Sequence, residues 1–555
     1  MKKVTLFMML VVTMIVMTCC SADSPYGDYY GMRNGDGMMN AGGNSSTTGE
    51  LTSFDVTLDQ SATEPSEVAT AYFPDEEDKL ENNEFSTLVN IDMAHPETKT
   101  ENGVEVMVNN GHITANHNET KGVCYVVSGT TANGSLTILG EKKYAVKLNG
   151  VNITNPDSAA LNLLSSKRAF ILLADGTSNS LADGTGGSQK GALYCKGKLL
   201  FNGTGSLTII GNTNNGIHSA DYIVFNKGNN IYVKSTANHG VKANDGVFIN
   251  GGLLNIEVSA AAAKGINSES HIVVNGGRTA ILTTGNGIYD SEDQEAKGAA
   301  CIKTDSMLTI NGGELWLKST GSGGKGINSD ASATFNGGNV YVVTTGSQYK
   351  SNNDTSSPKG IKADGNISIT GGRIWVRTEG TNGEGIETKK ELVVTGGEVA
   401  SYAYDDAINS KSTMTINGGM VFAQGKKNDG LDANGNCYIN GGTVYAVSAG
   451  TPEVAIDANT EGGYKLYING GTIVAIGGVE RGACISQPYN SENSWISDTW
   501  YALSYGGTVF AFKTPTSGGS GIVVSANEQP TLLSGVNVSG GTTYFGGLGI
   551  YLSEE

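Results

Sequence analysis

The sequence predicts an all-β chain wound as a right-handed parallel β-helix, with three strands per turn and roughly 22–25 residues per turn. Three observations carry this. Glycine is abundant, 79 of 555 residues, while proline is only 10 and charged residues are 16%. Glycine that dense without a three-residue period is not collagen, and regularly recurring Val, Ile, Leu and Tyr exclude disorder. An apolar strand then ends in Gly-Gly at 251, 276, 312, 337, 371, 396, 418, 441, 470, 506 and 540. Finally, the Leu-x-x-Leu-x-Leu signature and helical return of a leucine-rich repeat are missing, and a propeller blade needs about twice the period.

The chain opens with Lys2-Lys3 and an apolar run from Val4 to Met17, followed by Thr18, Cys19, Cys20 and Ser21. That run is shorter than the ~20 residues of a membrane-spanning helix, and its flanks describe a signal peptide. A cysteine directly after such a core resembles the bacterial lipoprotein signal. Cys19, or Cys20, is therefore expected to take the lipid, with ordinary cleavage as the alternative. Residues 1–19 are read as the signal and residues 20–84 as a flexible tether and entry segment, because residues 21–50 are rich in Gly, Asn, Tyr, Met and Ser without apolar period. Five cysteines remain, an odd number without a Cys-x-x-Cys pair. They fit neither a disulfide framework nor a zinc site and are expected as small core residues.

Residues 85–555 are the expected coiled body, its last 50 residues an irregular cap over the open end. A clean unit runs Gly326-Ile327-Asn328-Ser329-Asp330, then Ala333-Thr334-Phe335-Asn336-Gly337-Gly338, then Val340-Tyr341-Val342-Val343-Thr344. Each unit holds three short alternating segments, with Asn-Gly-Gly supplying positive φ at little cost. One unit cannot bury its apolar face alone; stacking at ~4.8 Å sets Ile on Ile and Val on Val. Right-handed winding is the rule for parallel crossovers. An Asn column at 250, 275, 311, 336, 417, 440 and 469 is expected to hydrogen-bond along the turns.

Fixed register turns the sequence into columns. After the inward Ile or Val of the first strand comes an outward residue: Tyr194, His218, Lys242, Asn267, Lys303, Asn328, Lys362, Glu387, Asn409, Asp432 and Asp457. The residue before the strand adds Glu384, Asp406 and Asp429. Stacked like charges repel unless neutralised, and oxygen-only ligands suit Ca²⁺, so Glu384, Glu387, Asp406, Asp429 and Asp432 are candidate metal ligands; a solvated acidic face is the plainer alternative. The third strand gives Tyr232, Asn255, Ala280, Trp316, Tyr341, Trp375, Ala400, Phe422, Tyr445, Val474 and Phe510. Trp316, Tyr341 and Trp375 stand on consecutive rungs, either as a platform for sugar rings or as a packed ladder. Insertions at Gly285–Ala300 and Gly346–Lys359 leave from one corner, between the two columns. The first carries Asp290, Glu292, Asp293 and Glu295, a further metal candidate.

The stretch Gly191-Ala192-Leu193-Tyr194 through Asn202-Gly203-Thr204-Gly205-Ser206-Leu207-Thr208-Ile209 and Gly216-Ile217-His218-Ser219, with the Gly-Ile and Asn-Gly-Gly rungs that follow, resembles a bacterial carbohydrate-binding family over roughly residues 85–480. Its members are similar to pectate lyases in being right-handed parallel β-helices. The resemblance implies calcium and acidic plant polysaccharide such as polygalacturonate, and the lipoprotein-like start resembles those of Bacteroidales, which implies an anchor at the outer membrane or cell surface, with the periplasmic side as the alternative. A binder of this kind would use Lys242, Lys303 and Lys362 for uronate carboxylates, the three aromatics for stacking, and Ca²⁺ as a bridge. A polysaccharide lyase would need Lys303 or Lys362 with a depressed pKa beside calcium, and a hydrolase would pair Glu387 with Asp406 or Asp429. A surface adhesin or spacer would need none of these. Net charge of −18 excludes the nucleic-acid backbone as a partner, and a monomer is expected.

Overall fold

The structure is a computed structural model that describes residues 51, 54–59, 61–66, 69–351 and 354–552. The signal segment and the lipidation candidates Cys19 and Cys20 lie outside the described residues. No helix among the described residues is long and apolar enough to cross a membrane.

A parallel β-helix forms the body. Its first parallel strand, Thr87–Asp92, pairs with Val123–Thr131. One face is a sheet of 15 strands, and the other two join in a sheet of 30 strands. The unit read from the sequence is realised as Lys325–Ser329, Ala333–Phe335 and Asn339–Thr344. Each strand stacks on its counterpart one turn away, so that Ile302 sits on Ile327 and Ile327 on Ile361. Inward side chains of all three faces merge into one core running from Val89 to Ala475.

Gly-Gly turns are required by stacking as well as by torsion. Gly277 has φ +74°, and a Cβ there would lie 2.6 Å from the carbonyl carbon of Gly251 in the rung below. The glycine before each first-strand Ile has a different reason: a Cβ on Gly326 would meet Val342 Cγ1 at 2.1 Å across the core. The Asn column forms as expected. Asn275, Asn311 and Asn336 each donate from Nδ2 to Oδ1 of the preceding Asn at 2.8–2.9 Å, and Asn440 and Asn469 continue the pattern.

Three expectations change. Within the stretch read as flexible tether and entry segment, the described residues of 51–84 run back along the body, while the residues 21–50 on which the tether reading rested lie outside the described residues. Phe54 packs on Trp375, Asp55 binds Lys318, Glu64 accepts from the amides of Gly228 and Gly252, and Tyr72 bonds Asn250. At the far end Arg168 is clamped by Asp75, Glu77 and the fully buried Asp78. Apolar anchors spaced among turn residues gave no helical or strand period, which is why the segment read as a linker.

The C-terminal segment is not irregular either. Trp500–Tyr505, Thr508–Lys513, Thr531–Ser534, Thr542–Tyr544 and Gly549–Leu552 form a five-stranded antiparallel sheet. Gly506-Gly507 is therefore a two-residue hairpin turn with both φ positive, a different use of the dipeptide that marks the coil turns. Phe510 accordingly leaves the third-strand column. Ile522–Ser525 closes the stack at the third strand, pairing antiparallel with Thr472–Ile476.

The two insertions are hairpins, Ile288–Asp290 with Glu295–Lys297 and Tyr349–Ser351 with Asp354–Ser356, and they lean on each other through Ala296 N–H to Asp354 at 2.6 Å. Three of the four acidic residues of the first are gathered by a lysine: Lys297 reaches Asp290, Asp293 and Glu295 and offsets part of their charge. Cys124, Cys195, Cys301 and Cys437 are buried single thiols, and Cys484 is half-buried.

Candidate functional site

Both columns exist in the register expected. The aromatic one is an interior feature. Trp316 stacks on Tyr341 with ring centroids 4.1 Å apart, and Tyr341 meets Trp375 edge-on at 5.7 Å. Their exposures are 0%, 1% and 6%. Leu51, Phe54 and Val56 from the amino-terminal segment, together with Phe510 and Phe512 of the terminal sheet and Phe545 of the 3-10 turn between two of its strands, complete a second apolar core over this flank. Trp316, Tyr341 and Trp375 thus offer no face to a sugar. Arg278 and Arg373 lie over the two tryptophan rings, and Glu398 accepts from Trp375 Nε1. An exposed aromatic row of this size is rarely left bare, and here the chain's own ends cover it.

The polar face is open. Its two columns are joined by local geometry: the residue before the glycine and the residue after the isoleucine, three positions apart, reach each other. Asn409 Nδ2 donates to Asp406 at 2.9 Å, and Lys359 lies 2.8 Å from Glu384 and 2.9 Å from Glu387. Along the stack the face passes from neutral and basic to acidic. Asn215, His218, His239, Lys242, Lys264, Lys303, Lys325, Lys359 and Lys362 precede Glu384, Glu387, Asp406, Asp429, Asp432 and Asp457.

The lysines expected to meet carboxylates are already engaged. Lys242 binds Glu269 at 2.8 Å, Lys303 binds Asp305 and Asp330 at 2.7 and 2.5 Å, and Lys362 binds Asp364 at 2.5 Å. Each takes its acid from the loop just beyond a strand, which sequence columns alone did not show. Lys264 and Lys325 sit deeper. Burial and neighbouring lysines push them down to about 8 and about 7, and both donate inward, Lys264 to the carbonyls of Ala262 and Gly298, Lys325 to Gly323 O and Ser356 Oγ.

The acidic end divides in two. Glu384 and Glu387 share the buried ammonium of Lys359 and so form an internal ion triad rather than free metal ligands. Burial opposes the lysine's charge, yet its two glutamates keep its pKa raised. Beyond them no lysine or arginine lies within ion-pair distance of Asp406, Asp429, Asp432 or Asp457 among the described residues. Desolvation, followed by neighbouring carboxyls (Glu384 beside Asp406, Asp406 beside Asp429 and Asp432, Glu480 bonded to Asp457), pushes them up from their ordinary 3.8: Asp406 to about 6, Asp432 to about 7, Asp457 to about 8 and Asp429 to about 9.

Asp429, Asp432 and Asp457 each offer an oxygen within 4.8 Å of the others. Oxygens bound to one Ca²⁺ at about 2.3–2.6 Å cannot stand farther apart than about twice that, so the spacing suits one ion. The donor set holds neither imidazole nor thiolate, which disfavours zinc. Backbone amides orient the set: Asp429 N–H donates to Asp406 Oδ1 at 3.1 Å, Val454 N–H to Asp429 Oδ1 at 2.7 Å, and Asn409 Nδ2 to Asp432 Oδ2 at 2.8 Å. Asp457 belongs to this set although its rung, a single bridge between Leu431 and Ile456, gave no ligand pair in the sequence.

Similarities to known proteins bear on this face. A protein from Acetivibrio thermocellus described as a carbohydrate-binding domain-containing protein is 34% identical over 126 residues, which is 21% of this chain and 44% of that relative. The solved structure of the polysaccharide lyase-like protein from C. thermocellum, a gadolinium derivative, matches at 21% identity and a TM-score of 0.33, covering 51% of this chain and 95% of that one. The family model described as carbohydrate-binding domain-containing protein matches residues 109–260, 230–381, 359–430 and 375–499, the whole run of coils that carries the polar face. The chain belongs to this carbohydrate-binding domain family.

Proposed function

We propose that the protein is a non-catalytic, calcium-dependent binder of acidic polysaccharide, carried on a lipid anchor at the outer membrane or cell surface. One observation supports it above the others: Asp429, Asp432 and Asp457 converge with no cationic partner among the described residues, on the face that also bears the lysine rungs. Buried and half-buried carboxyls raised by desolvation and by neighbouring carboxylates need protons or a cation, and at neutral pH a divalent ion is the better neutraliser. Ca²⁺ there would leave coordination positions for sugar oxygens, since it takes 6–8 oxygen ligands. The residues' own part is to fix the oxygens, through the amides of Asp429 and Val454 and the Asn409 side chain.

A lyase reading has one feature in its favour, the depressed Lys264 and Lys325. Both ammonium groups are already spent on acceptors of the neighbouring turns, Lys264 on Ala262 O and Gly298 O and Lys325 on Gly323 O and Ser356 Oγ, so the binding reading is preferred. The test is a glycan array with calcium and with chelator, together with product analysis on polygalacturonate. Retention that calcium strengthens and chelator weakens, without new products, is the expected result. Unsaturated uronide products would replace the proposal with the lyase reaction, and calcium-indifferent binding would remove the metal from it.

A further inference from the structure

The basic end of the polar face holds a cleft of about 320 Å³ whose lining includes Lys190, Asn215, His218, Lys242, Asn244 and Glu269. Some of its polar atoms are paired within the cleft and some are not. Asn215 Nδ2 donates both to Lys190 O at 2.8 Å and to His218 Nδ1 at 3.2 Å. This fixes the amide, because the reversed orientation would set its oxygen against a carbonyl. It also fixes the imidazole: Nδ1 accepts, so in the neutral ring Nε2 carries the proton. Burial and the charges of Lys242 and Lys190 push His218 down to about 4, which keeps it neutral.

What remains is one donor and two acceptors. His218 Nε2, Asn215 Oδ1 and Asn244 Oδ1 are buried atoms with no hydrogen-bond partner. Asn215 is 2% exposed and His218 7%. An unpaired buried polar group costs about 1–3 kcal/mol, and three in one cleft imply a ligand that supplies the missing partners. Above them stands the exposed Lys190, its ammonium over the Tyr194 ring, which in turn meets His218 edge-on. Lys242 is already neutralised by Glu269, so Lys190 supplies the cleft's surplus charge.

We propose that this cleft is a second, calcium-independent saccharide subsite that takes one carboxylated sugar residue. The Lys190 ammonium meets the sugar carboxylate, His218 Nε2–H donates to a sugar oxygen, and Asn215 and Asn244 accept from hydroxyls. A vicinal diol with a neighbouring acid matches that set of donors and acceptors, whereas a sulfate, with no proton to give the two carbonyl oxygens, does not. This rests on the carbohydrate-binding reading above and deepens it. His218 and Asp432 occupy the same column eight rungs apart, about 38 Å at ~4.8 Å per rung, so one polymer laid along the face spans both subsites.

Calorimetric titration of the full chain with trigalacturonate, and with neutral cellotriose, tests it in calcium and in chelator. Trigalacturonate is expected to bind at one site in chelator, with calcium adding a second. Lys190→Gln, at an exposed position that leaves folding intact, is expected to weaken trigalacturonate at least 10-fold without changing cellotriose. His218→Phe, checked by its melting curve, is expected to weaken both sugars. Wild-type protein that retains polygalacturonate in calcium, but whose trimer binding is unmoved by both substitutions or abolished by chelator, overturns the cleft and leaves the calcium-dependent function standing. Wild-type protein that binds no glycan in either condition overturns both.

Discussion

Replacing Trp316 or Trp375 with alanine removes a ring from an interior, not from a binding platform. Each truncation is expected to lower stability by ~3–5 kcal/mol, seen in denaturant unfolding, with glycan retention unchanged in whatever fraction stays folded. A variant that unfolds normally but loses glycan would restore the platform reading. Asp429 makes the opposite kind of residue. With its carboxyl raised to about 9 by burial and by Asp406, Asp457 and Asp432, Asp429→Asn removes the cost of keeping that group protonated in the folded state, and a ligand with it. The variant is expected to melt higher than the parent in chelator at pH 8 and to bind Ca²⁺ at least 10-fold more weakly by calorimetry. Equal calcium affinity would take Asp429 out of the site.

Along a strand column, single residues act through the rungs beside them. Lys359 lies between Glu384 and Glu387 on the next rung, so Lys359→Met strands two carboxylates and is expected to cost ~3–5 kcal/mol at pH 7, partly recovered at lower pH as the glutamates take protons. Asn275 bridges Asn250 and Asn311, and truncating it to alanine leaves both neighbours short of a partner, a loss of ~1–3 kcal/mol in thermal or denaturant melts. The carboxylate column itself sets a pH dependence. Asp406, Asp432, Asp457 and Asp429 hold protons in the folded state that they release near pH 3.8 when unfolded. Stability without metal therefore falls as pH rises from about 4 toward about 9. Melting curves in chelator are expected to shift down between pH 5.5 and pH 8, and added calcium to close the gap; a flat profile in chelator contradicts the burial assigned to these groups.

For the molecule as a whole, the coil was legible because its determinants are periodic: Gly-Gly turns, inward Ile and Val, and the Asn column recur at each turn, so 22–36-residue steps read as rungs. The same periodicity placed Trp316, Tyr341 and Trp375 in contact and Asp429 beside Asp432. It could not show what covers a column. Leu51, Phe54, Phe512 and Phe545 come from non-repeating ends whose destination only long-range packing decides. It also missed ion pairs closed by loop acids such as Asp305 and Asp364, and the unpartnered atoms of Asn215 and His218, although the three-residue spacing Asn215-Gly216-Ile217-His218 is the one that brings Asp429 to Asp432.

The amino-terminal segment has a mechanical consequence. It enters the body at Leu51 and Phe54, against Trp375, and reaches the first coil only after passing Lys318, Asn275, Asn250 and Arg168 in turn. Tension on the residues that precede Leu51 is therefore delivered partway along the rod's flank. It meets Phe54, then Asp55, then Glu64 one after another, as a zipper is opened, and each release shortens the grip on the solenoid while lengthening the leash by the residues freed.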